Sequence, residues 1–376
     1  MKCLILSSNT GAGHNSCAGA IQESFMERGI PCDVRDGLGF LSKDASRFIS
    51  EWHSRLYRTA PRLYGEGYNF AQKHSTGMDD DSLLVRVLGI GAGRLEACIV
   101  SQGYTHVICT HLFPAMMLTH LQRQRHLPVV TAFVSTDYTA SPGYEAIDLD
   151  WCFVPAPQIA GEFARPGMAP DRIISCGMPV KKAFRSRGDQ AASKQALGID
   201  PGHRHLLVMS GSMGCGPLKK VMKHLAKRAS NNVDISVICG MNHKLSRQLS
   251  RLLGDRKNIH IHDYVDQIPL FMDSADLYLT KAGGLSVSEA LFKGLPMVLI
   301  DAVEGCESHN MRYCLEQGAA RTADGAEAIA DLCLALIEDD GVLSSMAQAC
   351  QNTSRLPGAD RILNCLMGSE VPRDGI

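Results

Sequence analysis

The turn "TGAGH", residues 10–14, places a histidine directly after a Gly-Ala-Gly sequence. An apolar run precedes the turn, and a stretch typical of a helix, Ser16–Arg28, follows it. The pattern resembles the start of a dinucleotide fingerprint, but Ser16 stands where the third glycine belongs, and no Walker Gly-Lys-Ser/Thr follows. A histidine between the end of a strand and a helix N-terminus can act as a general base. His14 is therefore a catalytic candidate, the alternative being an incidental residue in a connecting turn.

A second glycine-rich turn, "SGSMGCGPLKK", spans Ser210–Lys220 after another apolar run. Its glycines allow a ligand to approach the backbone, and Pro217 fits the first turn of a helix whose N-terminus would suit a phosphate. Several basic residues follow, for which a solvated helix face is the favoured interpretation. These basic residues are Lys219, Lys220, Lys223, Lys227 and Arg228.

The segment "KAGGLSVSE", residues 281–289, has the residue types of a diphosphate and ribose site. We expect Ser286 and Ser288 to cap a helix and Glu289 to lie in its first turn. A carboxylate there could accept hydrogen bonds from two ribose hydroxyls, although a helix-capping carboxylate is an alternative explanation. In the later segment "EGCESHN", residues 304–310, several side chains could hydrogen-bond a polyhydroxylated ligand.

Eleven apolar runs alternate with helical stretches and must position these turns. The runs lack clean polar alternation, which predicts strands buried on both faces of parallel sheets. We therefore expect an α/β protein of two doubly wound domains, with ligands at the carboxyl ends of the strands. The predicted strands are Lys2–Ser8, Cys32–Asp36, Thr105–Thr110, Pro128–Thr136, Trp151–Pro155, Ile173–Cys176, His205–Ser210, Asp234–Cys239, Asn258–His262, Leu277–Thr280 and Pro296–Asp301.

The polar, charged stretch at residues 181–203 marks the predicted domain junction. It separates an N-terminal domain at residues 1–180 from a C-terminal domain at residues 204–356. A tail at residues 357–376 could return to the first domain.

The composition is that of an ordinary globular protein, with 45% hydrophobic and 20% charged residues. A net charge of −1 demands no polyanionic partner, so we expect no nucleic acid. No apolar window is long enough for a transmembrane helix, and the N-terminus shows no cleavable signal sequence. The fourteen cysteines are scattered, which predicts buried, reduced thiols and no metal site.

Basic and aromatic residues are mixed in the stretch Arg47–His74. Such a stretch can lie at a lipid interface, or it can pack its aromatic rings inward as an ordinary helix. The candidate acceptor and membrane residues are Trp52, Arg55, Tyr57, Tyr64 and Tyr68.

The order of these segments resembles the monogalactosyl- and glucosyl-diacylglycerol synthase family of GT-B glycosyltransferases. The resemblance covers most of the chain and rests on "TGAGH", "STDY", "CFVPAP", "GMPV", "ICGMN", "ADLYLTKAGG" and "ESHN". The segment "GLSVSE" departs from that family and is more similar to the related N-acetylglucosaminyl transferase of peptidoglycan lipid synthesis. The departures leave the donor sugar and the acceptor open.

The resemblance implies two Rossmann-like domains facing each other across a cleft, with a UDP-sugar bound mainly by the second. It places uracil at Tyr264 and Val265, ribose at Glu289, and the diphosphate at residues 283–286 and 212–216. The UDP-sugar residues that it implies are Gly11, Gly13, Ser212, Gly214, Gly216, Gly240, Asn242, Tyr264, Val265, Lys281, Gly283, Gly284, Leu285, Ser286, Glu289, Glu307 and Asn310.

The resemblance also implies inverting transfer of a hexose to a diacylglycerol-type lipid. His14 is then the base, and Asp137 orients it or the acceptor, or is itself the rival base. We expect no cofactor and no metal beyond the UDP-sugar substrate, and peripheral association with the inner face of the cell membrane. The alternatives are a polyprenyl-linked or small-molecule acceptor, a UDP-sugar epimerase, and a non-catalytic binding protein.

Overall fold

The structure is a computed structural model that describes residues 1–9, 11–42, 44, 46–47, 88–165, 168–209, 211, 217–300, 305–353 and 356–368. The chain divides into two compact units. The first unit comprises Met1–Lys181, Val303–Cys306 and Leu356–Ile376, and the second comprises Lys182–Ala302 and Glu307–Arg355. Residues 181–203 were interpreted from the sequence as an interdomain linker, and all of them except Lys181 lie in the second unit.

The first unit is built on a six-stranded parallel sheet of order β2-β1-β3-β4-β5-β6. Its strands are β1 (Cys3–Ser7), β2 (Cys32–Asp36), β3 (His106–Cys109), β4 (Val130–Val134), β5 (Trp151–Val154) and β6 (Ile173–Ser175). Its helices are α1 (Ala12–Glu27), α2 (Ala92–Gln102), α3 (Leu112–Arg125) and, near the C-terminus, α12 (Ala359–Leu366). Short 3₁₀ turns occupy Gly37–Phe40, Tyr144–Ala146, Pro157–Phe163 and Pro170–Arg172.

The second unit repeats this architecture with a parallel sheet of order β12-β11-β10-β7-β8-β9. Its strands are β7 (Arg204–Met209), β8 (Val233–Ile238), β9 (Ile259–His262), β10 (Leu277–Lys281), β11 (Met297–Ile300) and β12 (Ala320–Arg321). A 3₁₀ turn at Lys182–Phe184 comes first. Its helices are α4 (Gln190–Ala196), α5 (Leu218–Arg228), α6 (His243–Leu253), α7 (Ile268–Ser274), α8 (Gly284–Lys293), α9 (Cys306–Glu316), α10 (Ala326–Ile337) and α11 (Asp340–Thr353).

The predicted α/β fold with parallel sheets is confirmed, and all eleven predicted strands are present. Residues Cys3–Leu6 of β1 show the physical reason, since each is 0% exposed and the strand is covered on both faces. The twelfth strand, Ala320–Arg321, was missed because two residues at a sheet edge carry no periodic signal.

The C-terminal helix α12 packs against α1 in the first unit. Ser24 Oγ donates to Asp360 Oδ1 at 2.5 Å, and Arg28 Nη1 donates to Asn364 Oδ1 at 3.1 Å. The chain reaches α12 through Gly358, which has a φ of +51° and lies so close to the Met178 carbonyl that a Cβ would come within 2.7 Å of its oxygen. This contact fixes where α12 begins.

Candidate functional site

His14 lies in the first turn of α1, at the carboxyl edge of the first sheet. Its half-buried ring places Nδ1 at 2.8 Å from the Thr110 carbonyl oxygen and 3.0 Å from Thr136 Oγ1. Because a carbonyl oxygen can only accept, Nδ1 carries the proton and Nε2 is the basic nitrogen of the neutral ring. Burial lowers the pKa of His14, and this effect exceeds the opposing one of Asp137, so the ring is neutral near pH 7.

Asp137 follows β4 at the same edge, and its side chain is half-buried. The Ser135 hydroxyl donates to the Asp137 carbonyl at 3.0 Å, which fixes the turn. The negative charge of Asp137 raises the pKa of His14, since it stabilises the imidazolium form. Asp137 is thus placed to stabilise the charge that His14 would acquire on accepting a proton.

A second histidine, His111, contacts His14 and was not among the predicted site residues. The two rings meet edge to face with centroids 4.5 Å apart. His111 Nδ1 accepts a hydrogen bond from the Phe113 backbone N–H at 3.1 Å at the start of α3, so its proton is on Nε2 when the ring is neutral. A signal was present, because His111 follows a strand in the same way that His14 does.

The glycines before His14 have different surroundings. Gly11 adopts extended backbone that any residue could adopt, and a Cβ on it would come within 4 Å of none of the described residues. Gly13 lies inside the first turn of α1. The part of the chain that the structure describes therefore does not require glycine at position 11.

In the second unit, α8 begins at Gly284 rather than at the serines. Gly283 is the N-cap residue, and as a glycine it has no side chain to cap the helix. The predicted capping role of Ser288 is wrong, because its buried hydroxyl donates to the Gly284 carbonyl at 2.6 Å. Ser286 is also inside the helix, and its side chain is half-buried in the first turn.

Glu289 consequently lies in the second turn of α8, not in the first as predicted. First-turn placement was the basis of the helix-capping explanation, since the interaction with the helix dipole falls off beyond that turn. A helix-capping interaction therefore does not explain the half-buried Glu289 side chain. Leu285, in the first turn of α8, is buried.

Lys281, at the end of β10, forms a largely buried ion pair with Glu307 of α9. The side chains are only 19% and 12% exposed. Gly211 allows this arrangement, since its φ is +66° and a Cβ would lie 2.8 Å from Lys281 Cε. Gly211 belongs to the second glycine-rich turn, so this residue of the turn packs against the Lys281 side chain.

Asn310 is completely buried and does not lie at the surface of the site. Its Nδ2 donates to the Ala282 carbonyl at 3.0 Å, which holds the turn between β10 and α8. The contact observed for Asn310 is therefore with the backbone of the predicted diphosphate turn.

Tyr278 of β10 has a fully buried hydroxyl for which the described residues provide no hydrogen-bond partner. Burial raises the pKa of Tyr278 and the charge of Glu289 adds to the rise, whereas hydrogen bonding with the Thr280 and Ser286 hydroxyls opposes it. These two hydroxyls therefore lie close to the Tyr278 hydroxyl, although neither meets it in good hydrogen-bond geometry.

The remaining predicted residues follow β8 and β9, which are neighbours in the second sheet. Gly240 has a φ of +59°, and Asn242 caps α6 by accepting from the Leu245 N–H at 3.0 Å. Tyr264 is 60% exposed and Val265 is half-buried after β9. The predicted residues that lie outside the described part of the chain are Ser212, Gly214, Gly216, Trp52, Arg55, Tyr57, Tyr64 and Tyr68.

Each unit thus presents a distinct set of groups at the carboxyl edge of its sheet. The first carries a neutral histidine whose basic nitrogen is defined, and the second carries a helix N-terminus, an ammonium group and two carboxylates. Within the described ranges, no cluster of three or more His, Cys, Asp or Glu side chains could hold a metal ion. No helix in the part of the chain that the structure describes is long and apolar enough to cross a membrane.

Two family descriptions match successive parts of the chain. Residues 14–180 match monogalactosyldiacylglycerol (MGDG) synthase, and residues 205–352 match the glycosyltransferase family 28 C-terminal domain. A processive diacylglycerol beta-glucosyltransferase of Staphylococcus carnosus is 24% identical, over 93% of this chain and 88% of that protein. The chloroplastic monogalactosyldiacylglycerol synthase of Spinacia oleracea is 28% identical, over 88% of this chain and 65% of that protein.

Solved structures share the fold at low identity. Acinetobacter baumannii MurG aligns with a TM-score of 0.61 and 12% identity, covering 98% of this chain and 100% of that one. The UDP complex of S. aureus MnaA aligns with a TM-score of 0.66 and 13% identity, covering all of both chains. The two six-stranded parallel sheets are those of a GT-B fold.

Proposed function

The chain belongs to the monogalactosyl- and glucosyl-diacylglycerol synthase family, and we propose that it transfers a hexose from a UDP-sugar to a diacylglycerol-type lipid with inversion. The observation that carries this proposal is the orientation of His14 in the part of the chain that matches MGDG synthase. The Thr110 carbonyl holds the proton on Nδ1, so Nε2 can accept one from an acceptor hydroxyl.

In the proposed step, the acceptor oxygen forms a bond to the anomeric carbon of the sugar as the bond from that carbon to UDP breaks. The acceptor proton moves to His14 Nε2, and UDP leaves with the bonding electron pair. Asp137 stabilises the resulting imidazolium, as its effect on the His14 pKa supports. The proposal requires the donor held by the second unit to reach His14.

The second unit supplies groups suited to the departing diphosphate. The first-turn N–H groups of α8, from Gly284 to Ser286, and the ammonium group of Lys281 would stabilise its negative charge. Glu289 would accept hydrogen bonds from the ribose hydroxyls. Glu307, oriented by Lys281, would bind sugar hydroxyls.

Peripheral binding to the membrane completes the proposal, because a diacylglycerol acceptor resides in a bilayer. The basic and aromatic stretch at residues 47–74 is the candidate contact in the first unit. The inner face of the cell membrane is the proposed location.

The decisive experiment incubates the protein with diacylglycerol and UDP-glucose, UDP-galactose or UDP-N-acetylglucosamine, and detects products by mass spectrometry. The expected result is a glycosyl-diacylglycerol and UDP, both dependent on the lipid. Product from a polyprenyl phosphate but not from diacylglycerol would change the acceptor class. Conversion of the UDP-sugar without any acceptor would replace the proposal by an epimerase.

A further inference from the structure

Positive charge is concentrated in one stretch of the second unit. Residues 217–253 contain eight lysines and arginines and one acidic residue, a formal charge of +7. Because the whole chain carries −1, everything outside this stretch carries −8. The acidic residue, Asp234, does not neutralise the surface, since its carboxylate is largely buried between His203 and His260.

The basic side chains lie on two helices that contact each other. On α5, Lys220, Lys223 and Lys227 are exposed at spacings of three and four residues, which places them on one helix face. The same spacing on α6 exposes another such set, and Lys219 Nζ bonds Gln248 Oε1 at 3.2 Å to connect the helices. We call this surface the basic band; it consists of Lys219, Lys220, Lys223, Lys227, Lys244, Arg247 and Arg251.

Acidic groups lie at the two margins of the basic band. Arg228, beyond one margin, pairs with Glu327 and Asp331 of α10. At the other margin, Asp263 bonds His243 at 3.1 Å. The lysines between these margins therefore present their charge outward to whatever approaches the two helices.

Apolar side chains are exposed beside the basic band. Met241, just before α6, is 63% exposed, and Leu252, in its last turn, is 44% exposed. Exposed apolar groups next to lysine and arginine suit a lipid interface, where the charges meet anionic headgroups and the apolar groups enter the upper layer. Residues 217–253 contain no Phe, Tyr or Trp, so the aromatic stacking typical of single-stranded nucleic acid binding is missing.

We propose that the basic band is a docking surface for a bilayer containing anionic lipids. It is a second membrane contact, on the unit assigned to the nucleotide rather than on the unit that carries residues 47–74. The inference rests on the proposed function only in explaining why the protein would bind a membrane, since an enzyme that uses a lipid acceptor must reach the bilayer. Binding itself depends on charge and needs neither donor nor acceptor.

The test is flotation of the full-length protein with vesicles of phosphatidylcholine, alone or mixed equally with phosphatidylglycerol. The variant K223Q/K227Q/R251Q removes three charges from the basic band, and all three positions lie outside the predicted phosphate turn at residues 210–220. Each lysine or arginine near an anionic surface strengthens binding roughly fivefold, so the triple variant should bind the mixed vesicles about 100-fold more weakly at low salt. Raising the ionic strength should also weaken binding of the unaltered protein to the mixed vesicles.

A matched control, R123Q/R125Q/R321Q, loses the same charge from exposed positions outside the basic band. The control should bind the mixed vesicles within about threefold of the unaltered protein if the site is local. The proposal would be overturned if the triple variant and the control bound the mixed vesicles equally, whether or not both were weakened. It would also be overturned if the unaltered protein bound single-stranded RNA more tightly than the vesicles. Thermal unfolding of both variants at the temperature of the unaltered protein excludes misfolding. Hexose transfer to diacylglycerol in neutral detergent micelles tests the proposed function separately.

Discussion

Replacement of His14 by alanine removes the proposed base and leaves the second unit unchanged. In the structure, Nδ1 is held by the Thr110 carbonyl at 2.8 Å, so the lost group is the basic Nε2. General base catalysis contributes roughly 10²- to 10⁴-fold, which is about 3–5 kcal/mol of activation free energy. We expect kcat to fall by that factor while the dissociation constant for UDP stays the same, since the proposed nucleotide contacts belong to the other unit.

Changes around His14 should have smaller effects in a defined order. Thr136→Val removes the hydroxyl 3.0 Å from Nδ1, and the loss of one neutral hydrogen bond of about 0.5–1.5 kcal/mol predicts a roughly two- to tenfold lower kcat. Burial lowers the pKa of His14, so the acid limb of the kcat/KM profile should fall below the ordinary histidine value. Asp137→Asn should move that limb to still lower pH, because the carboxylate raises the pKa of His14.

The assay is single-turnover product formation at saturating UDP-sugar and lipid, with UDP binding measured by calorimetry. Thermal unfolding of each variant serves as the control for folding. If His14→Ala retains more than about a third of the normal kcat, general base catalysis by His14 is refuted. An acid limb that moves to higher pH in Asp137→Asn would refute the assigned electrostatic relation.

Three further predictions concern the second unit. Glu289→Gln should weaken UDP binding about 10- to 100-fold in calorimetry, the loss expected for hydrogen bonds to a charged acceptor; unchanged binding would exclude the ribose contact. Tyr278→Phe should raise the free energy of unfolding by about 1 kcal/mol in urea, because it removes a buried hydroxyl that meets no described partner in good hydrogen-bond geometry. A loss of stability would show instead that the nearby Thr280 and Ser286 hydroxyls form net favourable hydrogen bonds with it. Burial lowers the pKa of His205 to about 4, so the unfolded state binds a proton first as the pH falls, and the free energy of unfolding should decrease by about 3 kcal/mol from pH 6.5 to 4. His205→Gln should reduce this pH dependence, and an unchanged slope of the free energy of unfolding against pH would contradict the assignment.

The sheets could be predicted from the sequence because burial on both faces leaves uninterrupted apolar runs. Arg204–Met209 and Val233–Ile238 are such strands, and each lies within a residue or two of the predicted bounds. The edge strand Ala320–Arg321 gave no such signal. Register and strand order depend on long-range packing that local patterns do not encode.

The candidate site residues were predicted from residue type. The wrong predictions about the site also arose from reasoning on residue type alone. The preference of serine for helix caps suggested Ser286 and Ser288, but the extended backbone at Gly283 lets α8 start earlier. Asn310 was predicted among the UDP-sugar residues, and the structure adds a contact of its buried amide with the Ala282 carbonyl, while its contact with a ligand stays a prediction. The contact of His111 with His14 joins residues 97 positions apart and could be seen only in the folded chain.

The most direct test of the central claim is the anomeric configuration of the lipid product, determined by proton NMR on material made from an α-linked UDP-sugar. A single displacement assisted by His14 predicts a β-linked glycosyl-diacylglycerol that forms together with UDP. An α-linked lipid, or a converted UDP-sugar without any glycolipid, would contradict the account.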